Sequence, residues 1–261
     1  MRVKNIEIAN KVYGYIAFIL SRIPYFCFTM KVRLLALFYG GIMKKGEIYE
    51  GRVQEVLFPD KAIVVTDEGE TAQVKYGIPG QKIRFRVKKK RKEKIEGILL
   101  EVLEKSADET ACLCEWAGKC GGCLYQTLPY EKQLAIKEAQ IKKMLDNGGT
   151  DYAFEGIASS PVVSGYRNKV ELTFGDSYMG GPLALGMHQR GSFYDIAGIE
   201  TCQIMTPDMR MAAMAVLDHF SKLNIPFYHR MRHEGVLRHL LLRSSAATGE
   251  LLVAVVASSQ A

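Results

Sequence analysis

The sequence contains few cysteines, no long uncharged apolar run and no internal repeat. Six cysteines in 261 residues are too few for a disulfide-dense secreted scaffold. The longest uncharged apolar runs span about ten residues, whereas a membrane-spanning helix needs ~20. The chain is 48% hydrophobic and 24% charged, which is typical of a globular protein with more than one domain. We therefore expect a cytoplasmic protein with no stable membrane partner.

Residues 1–42 differ in composition from everything after them. This segment is apolar and aromatic, interrupted by Arg22, Lys31 and Arg33, and Met43 begins the more polar stretch "MKKGEIYEGRVQEVLF". A basic start before an apolar run is compatible with a signal peptide, but no small-x-small cleavage site follows. We favour an N-terminal extension outside the fold, such as a translated upstream stretch, over a membrane or targeting segment.

Residues 43–104 alternate apolar and polar side chains in short runs, which is typical of strands. The runs "EIYEGRVQEVLF", "AIVVTD" and "TAQVKYG" are separated by the turn signals "PD" and "EGE". A turn containing glycine and proline precedes "QKIRFRVKKKRKEKIEGILLEVLE", which predicts two further strands joined by a basic hairpin. About five short strands in this length predict a small β-barrel of the size of an oligonucleotide-binding fold.

Positive charge is concentrated in the predicted hairpin. Nine of the thirteen residues from Lys82 to Lys94 are Lys or Arg. Ile83, Phe85 and Val87 alternate with arginines, so one face of the strand is expected to be buried and the other to present cations. Such a hairpin either protects a sheet edge or contacts nucleic-acid phosphates, and we favour the second hypothesis. The predicted RNA-binding residues here are Arg84, Arg86, Lys88, Lys89, Lys90, Arg91 and Lys92.

The region after the barrel predicts two helices and several strands. Residues 129–149 begin with a proline, repeat Leu134, Ile141 and Leu145 on one face and end at "NGG", as a helix does. Residues 150–261 contain the strand-like runs "NKVELTFG", "LALGMHQ", "GVLRHLLLRSS" and "GELLVAVVASS" around the helical run "PDMRMAAMAVLDHFSKL". The sequence thus predicts the α+β class: a small OB-like β-barrel followed by an α+β central domain with a mainly antiparallel sheet.

A group of cysteines lies in residues 105–128, between the predicted barrel and the first predicted helix. In "CEWAGKCGGC", Cys114, Cys120 and Cys123 have the spacing Cys-x5-Cys-x2-Cys. Further along the chain, Cys202 in "GIETCQI" is the one cysteine available as a fourth ligand. Clustering of this kind favours metal ligation over framework disulfides.

The spacing distinguishes two kinds of metal site. Structural zinc sites usually contain two close ligand pairs, and only one such pair is present here. Three clustered thiolates plus a remote one are a common way to hold a [4Fe–4S] cluster, whose four irons each take one cysteine. We favour the cluster, with zinc and unligated structural thiols as alternatives. Cys112 is interpreted as a free thiol, and Trp116 as a shield that keeps water from the site.

These features together resemble a known family, the RNA uracil-C5-methyltransferases. A basic barrel followed by "CEWAGKCGGC" and "LYQTLPYEKQLAIK" is similar to the iron–sulfur branch that modifies 23S ribosomal RNA. "SGYRNKVELTFG" is similar to the family's Tyr-Arg-Asn-Lys segment, and "LALGMHQRGSFYDIAGIETCQI" to the strand pair that leads to its fourth cluster cysteine. "EGVLRHLLLR" and "TGELLVAVV" resemble the strands before its catalytic domain. The resemblance covers the chain from Met43 onward.

The resemblance implies that the barrel is a TRAM domain and that Cys114, Cys120, Cys123 and Cys202 ligate a structural [4Fe–4S] cluster. It implies RNA, namely 23S ribosomal RNA, as the partner, and rRNA processing as the role. S-adenosylmethionine would be the methyl donor of the full-length enzyme. Five central-domain residues are implied to lie near RNA, with sheet-edge polarity as the alternative: Arg167, Asn168, Lys169, Arg238 and His239.

The sequence departs from the family in one respect. Family members continue into a Rossmann-like methyltransferase domain with a glycine-rich loop, a nucleophilic cysteine and a general base, and none of these is identifiable here. We therefore expect the methyltransferase domain to be absent and the chain, as a truncated N-terminal part, to be inactive alone. One alternative is a stand-alone RNA-binding module with a structural Fe–S or zinc site. A radical or redox enzyme is another, although radical enzymes usually have Cys-x3-Cys-x2-Cys spacing.

Overall fold

The computed structural model describes residues 43–91, 94–149 and 151–259. These residues form a closed five-stranded barrel and a separate five-stranded sheet, with two helices. The proposed N-terminal extension, residues 1–42, and Lys92 of the basic hairpin lie outside the described residues. Neither helix of the described chain has the length and hydropathy needed to span a bilayer.

The barrel forms because five segments alternate buried apolar and exposed polar side chains. Its strands are β1 (Ile48–Leu57), β2 (Lys61–Val65), β3 (Thr71–Lys75), β4 (Lys82–Arg91) and β5 (Lys94–Glu104). Their order around the barrel is β1-β2-β3-β5-β4. Neighbouring strands pair antiparallel, except that β3 and β5 pair in parallel and so complete the closure. Closure removes the open sheet edges that would otherwise invite aggregation.

The centre of the barrel is filled by Phe85 of β4, whose side chain is fully buried. Gly97 on the neighbouring strand makes room for this ring. A Cβ atom at Gly97 would lie 2.6 Å from Phe85 Cδ2 and 3.0 Å from Val74 Cγ2. The predicted inward row of β4, which also includes Ile83 and Val87, is buried with it.

The first helix, α1 (Tyr130–Asn147), packs against the barrel. Tyr125 and Leu128, which precede the helix, are buried in the barrel core. The buried amide of Gln140 donates one hydrogen bond to the Val56 carbonyl at 3.1 Å and another to the Tyr125 hydroxyl at 3.3 Å. The connection that carries the clustered cysteines is therefore anchored to the barrel where it meets the helix.

The second unit is an antiparallel sheet that packs against the helix α2. Its elements are β6 (Lys169–Asp176), β7 (Leu183–His188), β8 (Ile196–Ala197), α2 (Pro207–Lys222), β9 (Leu237–Ser244) and β10 (Leu251–Ala257), and the strand order is β10-β9-β6-β7-β8. The Thr206 hydroxyl caps α2 by accepting a hydrogen bond from Met209 N at 3.3 Å, and Pro207 occupies the first helical turn. Met209 and Ala213 are fully buried in a core shared with Leu240.

The α+β class predicted from the sequence is wrong. The described residues are mostly sheet, with ten strands and only two helices. Each helix lies on one β unit and forms no layer with the other, so helix–helix packing contributes nothing to the architecture. Both helices lie where the sequence predicts them, and the long connections between the strands are irregular, so sheet dominates the regular structure of the described residues.

Candidate metal centre and RNA-binding surface

The cysteine loop, defined here as residues 114–123, is shaped by short backbone hydrogen bonds. Ala117 N donates to Cys114 O at 3.1 Å, and Cys120 N donates to Trp116 O at 2.8 Å. Gly118 has a φ of 82°, a left-handed conformation that glycine adopts at no steric cost. These tight turns bring the three cysteines of the loop to one cavity.

The cysteine loop is fastened to the end of β7 and to the segment before α2. Gly121 N donates to the His188 carbonyl at 3.0 Å. Glu115 N donates to Thr201 Oγ1 at 3.1 Å. Because Thr201 immediately precedes Cys202, this second contact brings the remote cysteine to the loop.

The guanidinium of Arg190 connects the cysteine loop to the barrel. Its Nε donates to the Cys120 carbonyl at 3.1 Å and its Nη2 to the Cys123 carbonyl at 2.5 Å. Its other contact is the Tyr76 ring of the barrel, with 4.7 Å between the guanidinium carbon and the ring centroid. Burial lowers the pKa of Arg190. Sequence reasoning missed this residue, whose only signal was its position directly after a predicted strand.

The four predicted ligands, Cys114, Cys120, Cys123 and Cys202, line a single cavity. Trp116 lines the same cavity. The Cys202 carbonyl accepts a hydrogen bond from Arg210 Nη1 at 2.8 Å, which helps to hold that end of the site. The fold thus brings together thiols that are widely separated in the sequence.

The electrostatics of the cavity oppose free thiolates. The pKa of Cys123 is raised to about 11, mainly by burial and in smaller part by the nearby Cys120, Cys202 and Cys114. Burial is also the main cause of the raised pKa values of Cys114 and Cys120. Four thiolates can share this cavity only if a bound cationic group offsets their mutual repulsion. The cavity therefore holds four thiol donors of the kind that an iron–sulfur cluster needs.

Four thiols are a donor set that both zinc ions and iron–sulfur clusters accept. Within the described residues, no group of His, Cys, Asp and Glu is placed to hold one metal ion. A tetrahedral zinc ion with Zn–S bonds of about 2.3 Å requires four closely packed sulfurs. A [4Fe–4S] cluster carries its thiolates on four separate irons and so spaces them more widely. The four thiols would give each iron of such a cluster one ligand.

Cys112 stands apart from the four cysteines of the cavity. It does not line the cavity, and its Sγ accepts a hydrogen bond from Cys114 N at 3.4 Å. The five cysteines of the described chain are all free thiols. Cys112 is therefore a natural control for experiments on the other four.

The outward cations of β4 divide into two groups. Arg84 is already engaged, because its guanidinium lies 2.9 Å from Glu50 and 2.8 Å from Glu101. Lys90 Nζ donates to the Met43 carbonyl at 3.3 Å. Lys82 Nζ lies 3.8 Å from Glu50 Oε2. The other cations of β4, which form no ion pair within the described part of the chain, are Arg86, Lys88, Lys89 and Arg91. These four residues carry the charge that is available to a phosphate backbone.

Two of the predicted central-domain residues share a face of the sheet. Lys169 lies directly opposite Arg243, and Thr173 lies directly opposite His239, across β6 and β9. His239 Nδ1 is 3.4 Å from Thr173 Oγ1 and 3.9 Å from Glu171 Oε1. Burial is the main cause of the lowered pKa of His239. Arg243 adds a cation that sequence reasoning missed, although its place in the alternating run "HLLLR" was a usable signal.

The other three predicted residues, Arg167, Asn168 and Arg238, are not gathered on the sheet face that carries Lys169 and His239. Arg238 points from the opposite side of β9, with its guanidinium carbon 4.5 Å from the centroid of the Tyr228 ring. Arg167 is exposed, and its charge opposes the rise in the Cys123 pKa. Asn168 is exposed, and its carbonyl accepts a backbone hydrogen bond from the end of β9 at 2.8 Å.

Comparison with known proteins gives relatives of one kind. An uncharacterized RNA methyltransferase of Caldanaerobacter subterraneus is 41% identical over 219 residues, which cover 84% of this chain and 48% of that protein. One from Clostridium tetani shows the same identity and coverage. The crystal structure of the Pyrococcus abyssi tRNA (uracil-54, C5)-methyltransferase in complex with S-adenosyl-L-homocysteine aligns with a TM-score of 0.58 at 22% identity, over 82% of this chain and 47% of that chain. No protein-family model matches the sequence.

These comparisons correct one expectation and support another. The predicted fold class, α+β with the Rossmann-like methyltransferase domain absent, is wrong, because 82% of the chain aligns with 47% of the chain of a solved methyltransferase. The chain spans about half the length of the curated relatives it matches. By sequence, this chain is similar to proteins named RNA methyltransferases.

Proposed function

We propose that this chain is the RNA-binding part of an S-adenosylmethionine-dependent RNA uracil-C5-methyltransferase. Its 41% identical relatives are named RNA methyltransferases, and the fold likeness to a solved uracil-C5 enzyme supports the choice of base. S-adenosylmethionine would supply the methyl group, and the solved neighbour holds its demethylated product. We propose 23S ribosomal RNA as the substrate on the resemblance carried by "CEWAGKCGGC".

The proposed division of labour follows the order of the chain. Residues 43–104 form a TRAM barrel that contacts RNA through the free cations of β4. Residues 105–128 carry the metal site, and residues 129–149 hold it against the barrel. Residues 150–261 form the central RNA-binding domain, whose sheet places Lys169 and Arg243 side by side. Support for this division comes from the two separate hydrophobic cores of the barrel and the sheet.

We also propose that Cys114, Cys120, Cys123 and Cys202 ligate a structural [4Fe–4S] cluster. The observation that carries this proposal is that these four thiols, from two distant parts of the sequence, line one cavity. The cysteine loop packs closely against β7 at Gly122, where a Cβ atom would lie 2.6 Å from Met187 Sδ. When bound, the cluster would cross-link the cysteine loop to the segment before α2.

The metal content of anaerobically purified protein tests this proposal. The full chain should be brown and contain about four iron and four acid-labile sulfide ions per chain. Cys120→Ser should lose both, whereas Cys112→Ser should retain both because Cys112 lies outside the cavity. Colourless protein with one zinc ion per chain would contradict the proposed cluster.

The RNA role of β4 is tested by the salt dependence of binding. Each phosphate contact that is lost should lower the slope of log K against log salt by about 0.7 for single-stranded RNA. Lys88→Gln and Arg91→Gln should each show this decrease, since both side chains are exposed. Lys222→Gln is the matched control, because this exposed lysine lies on α2 and pairs with Asp218 at 2.6 Å. If the slope of log K against log salt were unchanged in the two β4 variants, the hairpin would not contact RNA and would instead protect the sheet edge.

A further inference from the structure

Three loops beside the central sheet contact one another. They are the β6–β7 loop (residues 177–182), the β7–β8 loop (189–195) and the loop before β9 (227–235). Gln189 Nε2 donates to the Ser177 carbonyl at 3.2 Å and so joins the first two loops. We call this group of three loops the loop platform.

The second and third loops are joined by stacked rings. The Tyr194 and His229 rings lie nearly parallel, with an interplanar angle of 19° and centroids 6.4 Å apart. His229 N donates to the Glu234 carbonyl at 2.7 Å, which closes the third loop on itself. The Tyr194–His229 stack is therefore supported by the folded backbone of both loops.

The loop platform exposes large apolar side chains. Phe193 is 80% exposed, Met231 is 70% exposed and Tyr194 is 55% exposed. Within the β7–β8 loop, the Ser192 hydroxyl accepts hydrogen bonds from the backbone N–H groups of Tyr194 at 3.2 Å and Asp195 at 3.0 Å. Large apolar side chains exposed close to one another are typical of a binding surface.

A cavity of about 600 Å³ opens beside the stacked rings. Its walls include the aromatic rings of Phe220, Phe227 and His229, and Arg232 and Glu234 add opposite charges to the lining. This volume lies within the range of about 300–1,000 Å³ that is usual for small-molecule sites, enough for a single nucleoside. Because His229 lines the cavity and also stacks on Tyr194, the exposed rings and the cavity form one continuous feature.

Positive charge borders the loop platform. Arg230 and Arg232 are exposed on the third loop. The charge of Arg230 contributes to the lowered pKa values of both His188 and His239, so Arg230 lies near the sheet face that carries Lys169. Flat rings next to guanidinium groups are the combination that recognises unpaired bases and the phosphates between them.

We infer that the loop platform binds unpaired RNA bases, with Phe193 and Tyr194 as stacking surfaces and the adjoining cavity as the site of one base. Arg230 and Arg232 contact the flanking phosphates. This inference rests on the proposed RNA-binding function and adds to it a site for single-stranded RNA that is separate from the charged strand β4. Base-paired RNA cannot use this site, because the faces of its bases are already stacked.

Two substitutions at Phe193 test the inference in the full chain. Phe193→Leu removes the ring but keeps apolar area, and Phe193→Trp keeps a ring. The measurement is the anisotropy of a labelled uridine-rich RNA of about 12 nucleotides, alone or annealed to its complement. Phe193→Leu should weaken single-strand binding about 5- to 100-fold without changing its salt slope, and should leave duplex binding unchanged. Phe193→Trp should bind as the unmodified chain does.

The other outcomes are also decisive. Equal binding by the leucine variant would overturn the inference and assign the rings to a protein contact. Equal losses in both Phe193 variants would also overturn it, since a ring would then confer no advantage. If the unmodified chain bound no RNA, the proposed function would fail and this inference with it. Thermal unfolding midpoints check the fold of each variant, and Phe193, at 80% exposure, lies outside the core.

Discussion

Replacing Arg190 with alanine should loosen the cysteine loop from the barrel. In the native structure its guanidinium donates to the carbonyls of Cys120 and Cys123 and lies on the Tyr76 ring. Alanine leaves both carbonyls without this donor and removes a side chain that contacts all three residues at once. The loop should then hold its metal less firmly, because two of the proposed ligands lie at the released carbonyls.

The magnitude follows from these three contacts. A hydrogen bond that involves a charged group contributes about 1.5–3 kcal/mol, so the two bonds of Arg190 contribute about 3–6 kcal/mol. The contact with the ring adds about 0.5–2 kcal/mol. The alanine variant no longer desolvates a guanidinium, which offsets several kcal/mol of this loss. We expect the free energy of unfolding to fall by about 2–4 kcal/mol.

Urea unfolding followed by circular dichroism measures this change, and iron analysis of the same samples measures metal retention. The stability and metal content of Arg190→Lys should lie between those of the unmodified chain and those of Arg190→Ala. One ammonium group cannot donate to both carbonyls as the planar guanidinium does. Arg91→Ala is the control: this exposed arginine forms no ion pair within the described chain, so its removal should change stability by less than about 0.5 kcal/mol. If Arg190→Ala matched Arg91→Ala in both assays, the bracing role of Arg190 would be refuted.

Three further predictions concern the two cores and the sheet face. Gly97→Ala should destabilise the barrel by about 1–3 kcal/mol, seen as a lower thermal midpoint, because the new Cβ would lie 2.6 Å from the Phe85 ring. Gln140→Ala should lower the free energy of unfolding in urea by about 1–3 kcal/mol, because a strand carbonyl and a tyrosine hydroxyl lose their partner; an unchanged midpoint would contradict this. Burial and the nearby Arg230 lower the pKa of His188. The contribution of neutral His188 to stability is therefore complete above the unfolded-state pKa of about 6.5 and is lost as pH falls through the folded-state pKa. His188→Leu should for this reason reduce the pH dependence of the unfolding free energy below pH ~6.5.

Local patterns in the sequence determined several features by themselves. The alternation of Ile83, Phe85 and Val87 with charged residues predicts an inward and an outward face of one strand, because successive side chains of a strand point in opposite directions. The spacing of the clustered cysteines predicts a site for sulfur ligands, because a short loop keeps its own residues close together. The motifs also predicted a relationship to RNA methyltransferases, and the 41% identical relatives confirm this coarser statement.

Only the tertiary structure decided which distant residues meet. It brought Cys202 to the cysteine loop, gave Arg190 its two carbonyl partners and placed Tyr194 against His229. It also showed that the described residues are mostly sheet, with one helix on each β unit. Such contacts depend on how strands pair and where loops fold back. Pairing of this kind joins residues far apart in the chain, and periodicity within a short window carries no information about it.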